Sequence, residues 1–418
     1  MMRVLLCAPW YFPDSTGGTE VYVRGLAREL QLAGVTVAIA APATDGGPAQ
    51  YDYDGVPVHR FVAPESAQAE IDINPQEPAG FAALLDAWAP TVVDLHSLAS
   101  GLGLAHLRAA RGRGAATIST LHLPGIICAR GGFMRYGVSP CSGDLGREPC
   151  TACRLDAQGV PPSIGRLLGQ LPGSLARRDA LTHLPGAARR ALAAAGQDAR
   201  RRDWLHLVAD ASDRIVAPSA WLVDVLLRND IAPEKVVLCR QGVDVARPTP
   251  ARDRTRGPLR VGFLGRHDPQ KGLGLLIDAV RQLPATVACE LHAWGIAHSA
   301  GERRYLQSLA ARADGDPRIL LHTDGATPAE VYARIDVLAV PSFSFETGPL
   351  VVLEAQAAGL PVVGSDLGGI AERVTDGLNG LLVPPGNAEA WSHAIMRLAS
   401  DEALLASLRP TTAPRTTR

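Results

Sequence analysis

A chain of 418 residues, 47% of them hydrophobic, is long enough for two ordinary domains with a core each. Aromatics are only 5%, so Leu, Val and Ala must build those cores. A formal net charge of -1 removes any global electrostatic case for nucleic acid, and no apolar run approaches the ~18 to 20 residues of a membrane span. Met1 to Pro13 has neither a basic start nor a cleavage pattern and reads as a first strand, so the expected location is the cytoplasm. Seven cysteines, an odd number, argue against a disulfide framework. Of the 41 basic residues only Lys235 and Lys271 are lysines, which singles out Lys271.

The chain opens as a βαβ unit: a strand over Arg3 to Ala8, a loop with Asp14, Ser15, Gly17 and Gly18, a helix with the apolar stripe Val23, Leu26, Ala27 and Leu30, and a strand over Thr36 to Ala41. The loop is no G-x-G-x-x-G fingerprint. Its Gly-Gly pair at a helix start would still let a phosphate approach the backbone, and a plain turn is the competing reading. Strands over Val56 to Val62, Thr91 to His96, Ala116 to His122, Arg214 to Pro218 and Val236 to Arg240 alternate with helices near Phe81 to Trp88, Leu102 to Ala110 and Trp221 to Arg228. That alternation predicts a doubly wound parallel sheet. His96 and His122 then end two strands on the edge where such sheets bind ligands.

Cys128, Cys141, Cys150 and Cys153 follow in a Gly-rich stretch, the last two with C-x-x-C spacing. Four thiolates there could close a structural zinc site or hold an iron–sulfur cluster; unligated thiols are the alternative. Residues 163–202 carry Arg166, Arg177, Arg178, Arg189, Arg190, Arg200, Arg201 and Arg202 against Asp179 and Asp198. Such a basic helical insertion suits an anionic lipid surface or an acidic acceptor, and otherwise is a solvated face.

Residues 246–258 are a Pro- and Arg-rich linker, and the alternation then restarts with strands at Leu259 to Leu264, Val287 to His292, Arg318 to His322, Asp336 to Val340, Pro361 to Ser365 and Leu381 to Val383. Thr327, Pro328 and Glu330 form a capping box with proline at the first helical position. GRHDPQKG, Gly265 to Gly272, puts Arg266 and Lys271 just after the first of these strands. A planar guanidinium fork and a compact ammonium together suit a diphosphate. In PSFSFETGPLVVLEAQAAGLPVVGSDLGG, Pro341 to Gly369, a strand, a loop and a helix place Glu346 just before a helix N-terminus, with the N–H groups of Gly348, Leu350 and Val351 beside it. That terminus attracts phosphate, while Glu354, more than a turn inside an apolar helix, would reach a seam or accept hydrogen bonds from a polyol.

GRHDPQKG followed by FETGPLVVLEAQAAGLPVVGSDLGGIAE, with STGGTE near the start, resembles family-four retaining glycosyltransferases from Arg3 to about Leu398, and TLHLPGIICARGG with its trailing cysteines resembles one subset of them. The resemblance implies the GT-B fold, two Rossmann-like domains facing a central cleft: 1–245 with the Cys-rich loop 128–153, and 259–398 as the donor domain. Residues 399–418 would be a short tail where the family usually has a long crossing helix. It further implies that Arg266 and Lys271 bind the diphosphate of a nucleotide-sugar donor, that Glu346 lies beside its sugar, and that Glu354 holds the ribose. Gly265, Gly348, Pro349 and Leu350 would add backbone contacts. Gly18 would approach the diphosphate from the first domain, and His122 would line the sugar and the site of a glycan or lipid-linked acceptor. Transfer would retain configuration without an obligatory catalytic metal, in cell-envelope polysaccharide or glycolipid synthesis, with peripheral contact at the inner membrane face. The alternatives are a nucleotide-sugar 2-epimerase of the same fold and a non-catalytic nucleotide-sugar binder.

Overall fold

Short runs of β-branched and aliphatic residues alternate along the chain with helices whose apolar residues recur on one face, and each helix can cover a sheet only if the strands run parallel. The computed structural model describes residues 2–43, 50–62, 76–171, 186–243, 257–297 and 299–409. It divides into two compact units, Met1–Arg240 and Gln241–Arg418.

The first unit runs in order β1 (Arg3–Cys7), α1 (Gly18–Leu32), β2 (Thr36–Pro42), β3 (Gln50–Tyr53), β4 (Val56–Phe61), α2 (Ala79–Trp88), β5 (Val92–His96), α3 (Leu104–Gly112), β6 (Ala116–Thr120), a small hairpin of β7 (Met134–Arg135) and β8 (Ser139–Pro140), α4 (Arg147–Asp156), α5 (Pro162–Gln170), α6 (Gly186–Ala211), β9 (Arg214–Ala217), α7 (Ala220–Arg228) and β10 (Val236–Leu238). Its main sheet has the order β10-β9-β6-β5-β1-β2-β4-β3. All pairings are parallel except β3 with β4. The sequence reading missed β3. Asp54 and Gly55, both at positive φ, make the tight turn into β4, so the signal was the Asp-Gly pair ahead of Val56.

The second unit continues with β11 (Leu259–Arg266), α8 (Leu273–Arg281), β12 (Cys289–Ile296), α9 (Ala300–Ala313), β13 (Ile319–His322), α10 (Pro328–Arg334), β14 (Val337–Val340), α11 (Leu350–Ala357), β15 (Val362–Ser365), α12 (Gly368–Ala371), β16 (Gly380–Val383), α13 (Ala388–Ser400) and α14 (Glu402–Ser407). Its sheet, β13-β12-β11-β14-β15-β16, is parallel throughout. Leu259, Val261, Leu276, Ile277, Leu291 and Trp391 fill the core on one face. Thr327 accepts from the Glu330 N–H, and the Glu330 carboxylate accepts in return from the Thr327 N–H, as the capping box requires.

The division falls after Arg240, ahead of the expected linker, of which residues 246–256 lie outside the described residues. The expected tail also begins later. Asp401 caps α14 by accepting from the Leu404 N–H at 2.8 Å, and Leu405 and Leu408 are buried in the second unit's core, because their spacing matches one helical face.

Candidate active site

Parallel sheets open a crevice outside the carboxyl ends of their strands, at the point where strand order reverses. In the second unit that point lies between β11 and β14, the strands that lead into the Arg266–Lys271 and Ser342–Gly348 loops. Two close backbone approaches bring these loops together. Gly272 sits at φ +79 with no room for a side chain, since a Cβ there would lie 1.9 Å from the Pro341 carbonyl oxygen. The Phe343 N–H donates to the Gln270 carbonyl at 2.8 Å, and the Gly369 N–H donates to the Glu346 carbonyl at 2.8 Å.

These contacts deliver Lys271 to Glu346. The ammonium Nζ donates to Oε1 at 2.7 Å, and the buried Ser342 hydroxyl donates to the same oxygen at 2.8 Å. The Glu346 side chain is 17% exposed and that of Lys271 30%. Burial pushes the Glu346 pKa up, but the Lys271 charge, the two hydrogen bonds and the nearby Arg266 outweigh it and hold the carboxyl below its usual range. Arg266 is more open, its side chain 53% exposed and loosely held by Glu302 at 3.4 Å and Asp268 at 3.8 Å. Gly265 stands next to it at the end of β11.

α11 begins at Leu350 with Pro349 at its N-cap and no side-chain cap, and in its first turn the Val352 N–H donates to the Pro349 carbonyl at 3.0 Å. One turn on, Glu354 Oε2 accepts from the Tyr332 phenol at 2.7 Å. Burial raises the Glu354 pKa and this hydrogen bond partly offsets it. Tyr332, 2% exposed on α10, was not singled out in the sequence, and neither was Ser342. A tyrosine 22 residues from its partner carries no local signal; Ser342 and Glu346 at i, i+4 in a loop carry a weak one.

In the first unit the reversal lies between β1 and β5. Gly18 opens α1 there, and Gly17 at its N-cap is hemmed by the buried Glu20, whose carboxylate accepts from the Ser15 hydroxyl. His96 ends β5, and His122 lies two residues beyond β6, both buried. His96 Nδ1 is 3.0 Å from His122 Nε2, and the Tyr22 ring packs 4.9 Å from that of His122. Burial pushes the His96 pKa down to about 3 and that of His122 well below the usual histidine value, so both rings are neutral.

The cysteines were expected to close a metal site. Among the described residues no group of three or more His, Cys, Asp or Glu side chains is arranged to hold a metal ion. All four thiols are free. Burial pushes the Cys150 pKa up to about 12, and Asp198 and the nearby Cys128 and Cys141 add to the rise. Cys153 Sγ accepts from the Tyr136 N–H at 3.1 Å.

The basic insertion also departs in part from a solvated face. Arg201 is 6% exposed and donates to the Ile126 carbonyl at 3.1 Å, with Asp198 3.7 Å away, so it ties α6 to the loop after β6. Arg177 and Arg178 lie outside the described residues. No helix among the described residues is long and apolar enough to cross a membrane.

Two parallel α/β sheets with these connections define the GT-B class of fold. Anabaena HepE, solved with UDP and glucose, shares it at a TM-score of 0.65 and 17% identity over 98% of this chain and 93% of that one. Sucrose-phosphate synthase from Thermosynechococcus elongatus does so at 0.65 and 20% identity, over 98% and 92%. Residues 17–242 match the glycosyl transferase 4-like domain, and residues 258–401 match glycosyl transferases group 1. The chain belongs to this glycosyltransferase family. Among curated relatives, the D-inositol 3-phosphate glycosyltransferase of Corynebacterium efficiens is 32% identical over 223 residues, 49% of this chain and 52% of that protein. That of Salinispora arenicola is 36% identical over 226 residues, 48% and 50% respectively. The chain thus spans about half the length of the curated relatives it matches.

Proposed function

We propose that this chain moves a sugar from a nucleotide diphosphate sugar to a hydroxyl of a glycan or lipid-linked acceptor, with retention of anomeric configuration, in the synthesis of a cell-envelope polysaccharide or glycolipid. The observation that carries this is the 2.7 Å pairing of Lys271 with Glu346 just ahead of the N-terminus of α11, which has no side-chain cap. A dense anion such as a diphosphate matches what this edge offers: an ammonium, the open guanidinium of Arg266, and helix N–H groups at Leu350 and its neighbours. Complexes of HepE with UDP support the choice of a nucleotide anion.

Lys271 then has two partners at once. Its Nζ carries three donors, so it can bind a phosphate oxygen while keeping Glu346 ionised. Charge that develops on the leaving diphosphate is met by Lys271 and Arg266 without reorganisation, which is where such contacts accelerate most. Glu346, held anionic, orients sugar hydroxyls and favours positive charge at the reacting carbon. The Gly348–Leu350 backbone lies next to it, and Gly265 leaves the backbone open at the phosphate end. Glu354, fixed by Tyr332, accepts from the ribose hydroxyls. In the first unit, Gly18 leaves α1 open to the diphosphate, and His122 meets sugar or acceptor hydroxyls as a neutral ring. The leaving diphosphate takes the acceptor proton on the face it departs from, so the new bond keeps the configuration of the old one.

The test is a panel of UDP-, GDP- and ADP-sugars with and without candidate acceptors. Acceptor-dependent release of nucleoside diphosphate, with an α-linked donor giving an α-linked product, is the expected result. Conversion of the sugar without release would make the chain an epimerase, and binding without turnover a non-catalytic receptor.

A further inference from the structure

The loop that carries Glu346 is gripped from two sides. On one side stands Gly369, in the first turn of α12. Its N–H donates to the Glu346 carbonyl at 2.8 Å, and a Cβ on it would lie 2.5 Å from that same oxygen. On the other side the contact is made at Gly348. This glycine is not at positive φ, so its backbone conformation does not demand glycine. Space does: a Cβ there would lie 2.0 Å from Gln241 Oε1 and 2.6 Å from Gln241 Cδ. The Gln241 carboxamide fills the place that a side chain at position 348 would take.

Gln241 is held in turn. It is the first residue of the second unit and 6% exposed. Its carbonyl accepts from Arg373 Nη2 at 3.3 Å, and Arg373 stands two residues past the end of α12. The Arg373 carbonyl accepts from Gln356 Nε2 on α11 at 2.9 Å and from Asn379 Nδ2 at 3.1 Å. The α12 segment therefore holds the Glu346 carbonyl at its start and the Gln241 backbone just beyond its end. With its backbone pinned and its side chain buried, Gln241 is a fixed wedge, and the Gly348 backbone cannot fall back without displacing it.

We propose that Gln241 is a positioning residue for the donor sugar: its carboxamide backs Gly348 and so fixes the backbone that the sugar meets two residues from Glu346. This rests on the reading of Glu346 and Gly348 given above. Gly348 lies between the buried Thr347 and Pro349, the N-cap of α11, so a shift of its backbone is passed to Glu346 or to the first turn of α11. The wedge supplies accuracy rather than a bond to the ligand, and at a reacting centre a misplacement of about 1 Å is enough to cost ~100-fold. Arg266 and Lys271 come from a different loop, the one after β11, so the wedge acts on the sugar and leaves the diphosphate end as it is.

Calorimetry on the full chain tests this by comparing the nucleotide sugar selected from the panel with its nucleoside diphosphate. Gln241→Ala is expected to raise the Kd of the nucleotide sugar by about 10-fold and that of the diphosphate by less than about 2-fold, with Gln241→Asn, whose amide sits one methylene back, in between. Retained diphosphate binding shows that the variants are folded. Gly348→Ala, whose methyl meets the carboxamide, should weaken the nucleotide sugar by about 100-fold. Adding Gln241→Ala to it should restore at least about 10-fold, the reverse of additive loss. Equal weakening of both ligands by Gln241→Ala, or a double variant no better than Gly348→Ala, would overturn the proposal and leave the transfer reading standing. A wild type that binds no nucleotide sugar would sink that reading, and the proposal with it.

Discussion

The two sheet edges that carry the candidate site residues solve opposite electrostatic problems. In the second unit, Lys271 and Glu346 are both charged and 2.7 Å apart, with Arg266 adding a second cation. In the first unit, His96 and His122 at the matching strand ends are held neutral by burial. The same parallel topology supports both, so the difference comes from the side chains placed at the reversal point and from how much water reaches them. A half-open ion pair keeps its charge and leaves ammonium donors for a phosphate oxygen. A buried imidazole keeps its donor and acceptor and suits an uncharged hydroxyl. The two edges thus differ in kind: that of the second unit carries charge of both signs, that of the first unit buried neutral imidazoles.

The largest effects should therefore come from the charged edge. Lys271→Ala and Glu346→Ala are each expected to lower kcat by at least ~100-fold, the scale of losing one transition-state contact. The double variant should lose far less than the product of the two, since the groups act as a unit. Full additivity in that cycle would break the picture of one coupled pair. On the neutral edge, His122→Gln keeps an uncharged donor and acceptor and should cost only about 10-fold in kcat/KM, one ordinary hydrogen bond. A loss as large as that of Lys271→Ala would erase the division between the edges. Tyr332→Phe acts one step further out, by loosening Glu354. About 3- to 5-fold in KM for the donor is expected with kcat nearly unchanged, and the preference for a ribose over a 2′,3′-dideoxyribose donor should shrink. An unaltered preference would remove Glu354 from the ribose.

Much of this site could be read from residue order alone, because its logic is local. Arg266 and Lys271 follow a recognisable strand, Glu346 precedes a recognisable helix, and a parallel sheet puts such positions on one edge. The scarcity of lysine helped too. Lys235, the other lysine, donates to the Ala209 and Ser212 carbonyls and closes the end of α6, so each lysine has a defined task. What stayed hidden depends on contacts between distant segments. Nothing in the sequence says that Tyr332 reaches Glu354, that Gly272 is pressed against Pro341, or that His96 meets His122. The cysteine spacing suggests a ligand set, but nothing in it shows that Cys153 accepts from the Tyr136 N–H. Spacing along α4 fixes which thiols share a face, whereas the β7–β8 hairpin holds Cys153 and the Asp144 carbonyl meets Cys150.

The smallest expected effect, on stability rather than turnover, separates the two edges by the sign of its pH dependence. Glu346 has a folded pKa below its unfolded one, so its contribution is present above about pH 4.3 and fades as pH falls through the folded value. Asp94 behaves in reverse. Its folded pKa of about 7 lies above an unfolded value of 3.8, so between those two pH values the native chain holds a proton that the unfolded chain has released. Stability therefore falls as pH rises through that window and levels off above it. Asp94→Asn cannot ionise and escapes this loss, so its Tm relative to the wild type should climb from pH 4 to pH 7.5, by about 2–4 °C for each kcal/mol involved. Glu346→Gln should show the opposite trend, with a deficit at pH 7.5 that shrinks toward pH 3. Thermal unfolding of both variants across this range checks the pair, and a gap for Asp94→Asn that stays constant with pH would mean that its carboxyl is solvated and that the first edge is not the neutral one.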